Sequence, residues 1–91
     1  MLNFYTVVGR ITEIKEKSII IAVPRSYKNT DGIYETDFFE IMLFENAMNN
    51  TKEYCKKGDL MGIKGHLQTD EKGNIKIIAE KVTFLSSKEE K

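Results

Sequence analysis

Cysteine occurs once, at Cys55, histidine once, at His66, proline once, at Pro24, and tryptophan not at all. A lone cysteine closes no internal disulfide, so an oxidising compartment offers this chain nothing. Cys55 is expected to be a small apolar residue on a helix face. One cysteine and one histidine make no metal-ligand set, and no carboxylate cluster at metal spacing joins them, so neither a metal nor any other cofactor is expected. There is no nucleophile with a paired base and no glycine-rich phosphate loop, which argues against an enzyme. No apolar run reaches the roughly 18 residues of a membrane span, and the amino terminus lacks a charged and apolar leader. The expectation is a soluble, cytoplasmic protein with no membrane partner. The scarcity of proline leaves long stretches free for strands.

An excess of charge of one sign is missing as well: 14 Lys and Arg stand against 14 Asp and Glu in 91 residues. A neutral total weakens any long-range pull on nucleic acid. It does not remove a local one, because phosphate attraction acts within about one Debye length, roughly 8–10 Å. The cations gather at Arg25 and Lys28, at Lys52, Lys56 and Lys57, at Lys64, and at Lys72 and Lys76.

What the chain does have is a run of rings interleaved with cations. Tyr27 sits between Arg25 and Lys28, a polar turn follows at Asn29-Thr30-Asp31-Gly32, and then come Tyr34, Phe38, Phe39 and Phe44. An unpaired base stacks on an aromatic face and its phosphate wants a nearby cation, a pairing that suits single-stranded nucleic acid without reading its sequence.

Hydrophobic periodicity predicts five strands and one helix. Leu2 to Ile14 is rich in β-branched and aromatic residues, with Gly9 expected to bend or bulge the strand. A short charged turn leads to Ser18–Val23, a second strand that Pro24 is expected to end, and a polar loop spans Arg25 to Tyr34. From Glu35 to Glu45 a third strand alternates by two, Phe39, Ile41 and Leu43 facing the core and Phe38, Glu40, Met42 and Phe44 facing outward. Asn46 is placed as the cap of a helix bearing Ala47, Met48, Thr51, Tyr54 and Cys55, stopped by Gly58. Leu60–Thr69 forms a fourth strand with Met61, Ile63 and Leu67 on one face. A tight turn at Asp70–Gly73 leads to a fifth strand over Asn74–Leu85, whose parity switch requires a bulge near Glu80 and Lys81. Gly62-Ile63-Lys64-Gly65 spells a GxxG clamp but lies inside an alternating strand without flanking helices. His66 falls on that strand's polar face, where exposure to solvent is the expectation. The order describes an all-β, five-stranded OB-fold barrel with one helix between strands 3 and 4, over residues 1–85, with a polar tail over 86–91.

Val8-Gly9-Arg10 with Thr12, the Tyr27-Lys28-Asn29 loop with Gly32, Tyr34-Glu35-Thr36-Asp37-Phe38-Phe39, Lys57-Gly58-Asp59-Leu60, Gly65-His66-Leu67-Gln68-Thr69 and Val82-Thr83-Phe84-Leu85 stand in an order that resembles the bacterial-type single-stranded DNA-binding proteins. The resemblance implies sequence-independent binding and protection of single-stranded DNA in replication, recombination or repair, in a cell, phage or mobile element of bacterial type. It implies base stacking by Tyr27, Phe38 and Phe44, with Arg10, Arg25, Lys28, Lys57 and Lys64 along the phosphate path. It further implies a homo-oligomer, a tetramer ahead of a dimer, with the amino-terminal strand paired across a subunit boundary and Phe39 at a subunit contact, although parity alone places Phe39 in the core.

Departures from the family's pattern matter too. The connections at Ile14–Ser18 and Asp70–Gly73 are short, and the latter carries no ring. The chain closes on Ser87-Lys88-Glu89-Glu90-Lys91 rather than on an acidic, phenylalanine-ended tip, so recruitment of replication proteins through such a tip is not expected. Neutral charge, short loops and the missing ring keep in play an OB-fold assembly module of the primosome-accessory type, and because stacking ignores the sugar a binder of single-stranded RNA is a further alternative.

Overall fold

The computed structural model describes residues 1–85. The tail expected over 86–91, and with it the ending that lacks an acidic tip, lies outside the described residues. Five strands, β1 (Tyr5–Ile14), β2 (Ser18–Lys28), β3 (Tyr34–Met42), β4 (Leu60–Thr69) and β5 (Ile75–Phe84), and one helix, α1 (Glu45–Tyr54), follow the predicted order. The strands close into a barrel in the spatial order β1-β2-β3-β5-β4. Closure uses one short parallel pairing, Ile41–Met42 of β3 against Ile77–Ile78 of β5, and every other pairing is antiparallel.

Alternation fills the interior. Ile11, Ile19, Ile21, Ile41, Leu43, Met61, Ile63 and Ala79 form the buried core, and Met48 of α1 closes one end over it. Each fully buried Ile or Met removes enough apolar surface to contribute about 1.5–3 kcal/mol. The helix presents Met48 and Thr51 inward, and the Thr51 hydroxyl is satisfied by donating to the Ala47 carbonyl at 2.8 Å. The capping residue is Phe44 rather than Asn46, and its side chain makes no cap hydrogen bond. Cys55 is half-buried against the core at the C-cap, just past the helix face on which it was expected.

Strand irregularities locate where the barrel bends. The bulge in β1 falls between Ile11 and Glu13. Gly9 answers a different need, since a Cβ there would lie 2.6 Å from the Ala22 carbonyl oxygen. In β5 the parity switch is where alternation requires it: Lys64 pairs with Lys81 and Gly65 with Ala79, leaving Glu80 as the extra residue. Gly65 faces that bulge so closely that a Cβ would sit 1.8 Å from the Ile78 oxygen.

The β2–β3 hairpin is longer than the sequence suggests. Pro24 does not end β2; it pairs with Thr36, and the ladder resumes at Lys28–Tyr34 after a register shift. β1 pairs with β2 only as far as Ala22, so beyond it β2 and β3 form a two-stranded arm. One edge of such a ribbon is open, where proline's missing N–H costs little. The tip is held by Asn29, whose Oδ1 accepts from the N–H groups of Asp31 (2.8 Å) and Ile33 (3.0 Å).

Leu67 was expected inward, yet it is exposed, because β4 and β5 run past the rim of the barrel there. With Tyr5, Thr6, Val7, Phe39, Ile41 and Ile77 it lines an apolar cavity of about 240 Å³. Phe39 is therefore half-buried at the barrel's mouth, touching the core and bordering the cavity.

Candidate nucleic-acid interface

The outer face of β1-β2-β3 carries three of the predicted residues, Arg10, Phe38 and Lys28, in a definite arrangement. Register pairs Arg10 with Ala22 and Ala22 with Phe38, so these three share one row across three strands. Phe38 stands out from this row with 63% of its surface exposed, and Ala22 beside it leaves the ring face clear. At the end of the row the Arg10 guanidinium donates to the Gly58 carbonyl at 3.0 Å, which fixes it next to the turn that carries exposed Lys57. Further out on the arm, Lys28 pairs with Tyr34 and its ammonium lies over the Tyr34 ring, 5.7 Å from the centroid.

Arg25 lies on the opposite face of the arm. Its Nε and Nη2 donate to the two Asp37 oxygens at 3.1 and 2.9 Å, and its Nη1 donates to Glu35 at 2.9 Å. The fork holds the Asp37 carboxyl below the usual carboxylate range, and the carboxylates raise the guanidinium in turn. Tyr27, exposed on the same arm, is near enough to Arg25 to act on its charge. Among the five predicted phosphate cations, Arg25 is thus the one already met by two carboxylates.

Two predicted residues are placed apart from this cluster. The third strand ends at Met42, so Phe44 is not on it; the ring, 67% exposed, stands at the start of α1 beside Glu45, Ala47, Ala79 and Glu80. Lys64 lies on the outer face of β4, paired with Thr6 on one side and Lys81 on the other. Between Phe38 and Phe44 the outer face carries Glu40. The Ser18 hydroxyl donates to it at 2.7 Å and Lys15 approaches at 3.4 Å, which together hold its carboxyl low and offset its charge.

His66 differs from the expectation of a solvent-facing ring. Nδ1 meets Glu80 and Nε2 meets Gln68 Oε1 at 2.9 Å. Each ring nitrogen faces an oxygen, an arrangement that favours the protonated ring, and the bonds to Gln68 and Glu80 raise its pKa above the ordinary value. Glu80 is the bulged residue of β5, and only the fold brings it to His66. Burial, reinforced by Glu80, likewise pushes the Tyr5 phenol up to about 12, and it donates to the Ile78 carbonyl at 3.0 Å. Among the described residues no group of three or more His, Cys, Asp or Glu could hold a metal ion, and no helix is long and apolar enough to cross a membrane.

A closed five-stranded barrel with a helix between its third and fourth strands, and with rings and cations on the face of strands two and three, is the OB-fold in its oligonucleotide-binding form. The sequence profile of the Single-strand binding protein family matches residues 2–85, and the chain belongs to that family. It is similar to single-stranded DNA-binding protein 2 of Staphylococcus aureus (strain COL), with 32% identity over 106 aligned positions covering 97% of this chain and 76% of the relative. It is equally similar, at 32% over 97% of this chain and 94% of the relative, to single-stranded DNA-binding protein B of Bacillus subtilis (strain 168). Among solved structures, the Plasmodium falciparum SSB in complex with ssDNA superposes with a TM-score of 0.75 at 17% identity, covering 94% of this chain and 96% of that one. The mitochondrial single-stranded DNA-binding protein Rim1 of S. cerevisiae gives 0.70 at 18%, covering 96% and 97%. These two likenesses show the same fold.

Proposed function

We propose that this protein binds single-stranded DNA without sequence preference and covers exposed strands in replication, recombination or repair, acting in the cytoplasm by binding rather than by catalysis. The observation that carries the reading is Phe38, an exposed ring on the barrel's β2–β3 face in a row with Ala22 and Arg10. Bases stack on Phe38, on Tyr27 of the arm and on Phe44 at the helix start. Arg10, Lys28, Lys57 and Lys64 neutralise phosphates, and Arg25, shared with Asp37 and Glu35, contributes less than its charge suggests. Family membership supports the ligand class.

The working unit is a homo-oligomer, a tetramer ahead of a dimer. Support comes from β1, whose Tyr5–Gly9 half pairs with β4 alone and leaves its other edge unpaired among the described residues. Exposed Phe4 and Val8 flank that edge.

Phe38→Ala tests the site. Affinity for oligo-dT should fall by about tenfold or more while the variant keeps the wild-type melting curve, because one lost stack costs roughly 1–3 kcal/mol. Unchanged affinity in a folded variant would remove Phe38 from the interface. Matched dT and rU oligomers in competition decide between DNA and RNA as the preferred strand.

A further inference from the structure

We infer that Tyr34 is a further base-stacking platform, which extends the binding track from the barrel onto the β2–β3 arm; this rests on the reading of Phe38 as a stacking ring. Three observations lead to it. First, β3 is regular from Tyr34 to Met42, so Tyr34, Thr36 and Phe38 fall on one face, while Glu35 and Asp37 turn to the other, where Arg25 bonds them. Tyr34 is thus on the same side as Phe38. Second, four residues of strand separate the two rings by ~13 Å, more than one base can bridge, so they take different bases of one strand.

Third, Tyr34 is 55% exposed, on a two-stranded arm whose outer face no other strand of the described residues covers. A ring so placed adds little to the core, yet Lys28 holds a cation over it at 5.7 Å. Base stacking needs an open ring and a cation close by for the phosphate, and this pair supplies both. The reverse face of the arm is locked by Arg25 with Asp37 and Glu35, and by Asn29 Nδ2 donating to Glu35 at 3.1 Å. That lock keeps the two strands in register and the ring in place before DNA arrives, which lowers the cost of ordering on binding. The β4–β5 turn, Asp70–Gly73, carries no ring, so the arm is where the track can lengthen.

The test titrates oligo-dT into Tyr34→Ala, Tyr34→Leu, Tyr34→Phe and Phe38→Ala, each checked for a wild-type melting curve. Tyr34→Ala and Tyr34→Leu should each lose about tenfold in affinity, and Tyr34→Phe should stay within about twofold of wild type, since stacking needs the ring face alone. The salt dependence should be unchanged in these variants and should weaken by about 0.7 in log–log slope in Lys28→Ala, one phosphate's worth. Wild-type affinity in Tyr34→Ala beside weakened Phe38→Ala overturns the inference alone. Full affinity in Tyr34→Leu, or a loss in Tyr34→Phe as large as in Tyr34→Ala, also overturns it by assigning the effect to apolar bulk or to the hydroxyl. Wild-type affinity in Phe38→Ala defeats the underlying reading instead.

Discussion

His66 shows how one side chain's behaviour depends on neighbours far away in the chain. On its own strand it has Gln68, and the fold adds Glu80, fourteen residues on. Because the folded pKa is raised above 6.5, the pair stabilises the fold fully below that value, and the contribution fades as pH rises through the folded pKa. Wild type should therefore lose denaturant midpoint as pH rises above 6.5 and through the raised folded pKa, and His66→Gln should lose less over the same rise. Equal losses in the two proteins would show that the imidazolium adds nothing. Arg25 teaches a related lesson: as a letter beside Tyr27 and Lys28 it looks like a phosphate ligand, but Asp37 and Glu35 engage it across the arm. No local pattern marks that pairing, because it depends on the register of two strands.

At the level of elements, the places where strands bend decide what can be changed. Gly65→Ala would drive a Cβ into the Ile78 carbonyl and the Tyr5 ring. Overpacking against backbone beside a bulge should cost about 1–3 kcal/mol or more in a denaturant titration. Gly62→Ala in the same strand would meet the Leu85 Cδ1 atom at 3.4 Å and should be nearly neutral. A small effect at both positions would mean that β5 can shift away from β4 at Glu80. The bulge itself was legible in the parity of Ile75, Ile77 and Ala79 against Val82 and Phe84. The length of the arm was not. Pro24 signals a strand end when a strand is taken singly, and only its position past the last β1 partner makes it tolerable. Ending β2 at Pro24 also left Tyr34 in a loop, which hid the alternation that joins it to Phe38.

For the whole molecule, a formal charge of zero means that binding must rely on where the charges sit. Several acidic groups are matched within the fold: Glu40 by Lys15, Asp37 and Glu35 by Arg25, Asp59 by Lys56 and Glu80 by His66. Arg10 is instead anchored to a backbone carbonyl and, among the described residues, makes no ion pair, with only Ala22 between it and Phe38 in the row. Affinity for dT should accordingly fall with salt at about −0.7 in log–log slope for each phosphate contacted. Native mass measured alone and with a dT 35-mer should show an oligomer that takes up the strand without changing subunit number. A monomer that binds no oligomer would refute both the assembly and the ligand.

Composition and periodicity alone determined the barrel's class, the order of its elements along the chain, its core of alternating isoleucines and the outward face of Phe38, because these depend on spacing along one strand, whereas Phe44 lies beyond the end of that strand. The tertiary structure decided which residues meet: Arg10 with Phe38's row, Lys28 over Tyr34, Arg25 with Asp37 and Glu35, and His66 with Glu80. Those pairings follow from register and bulges, and a shift of one residue in either strand would give each side chain a different neighbour.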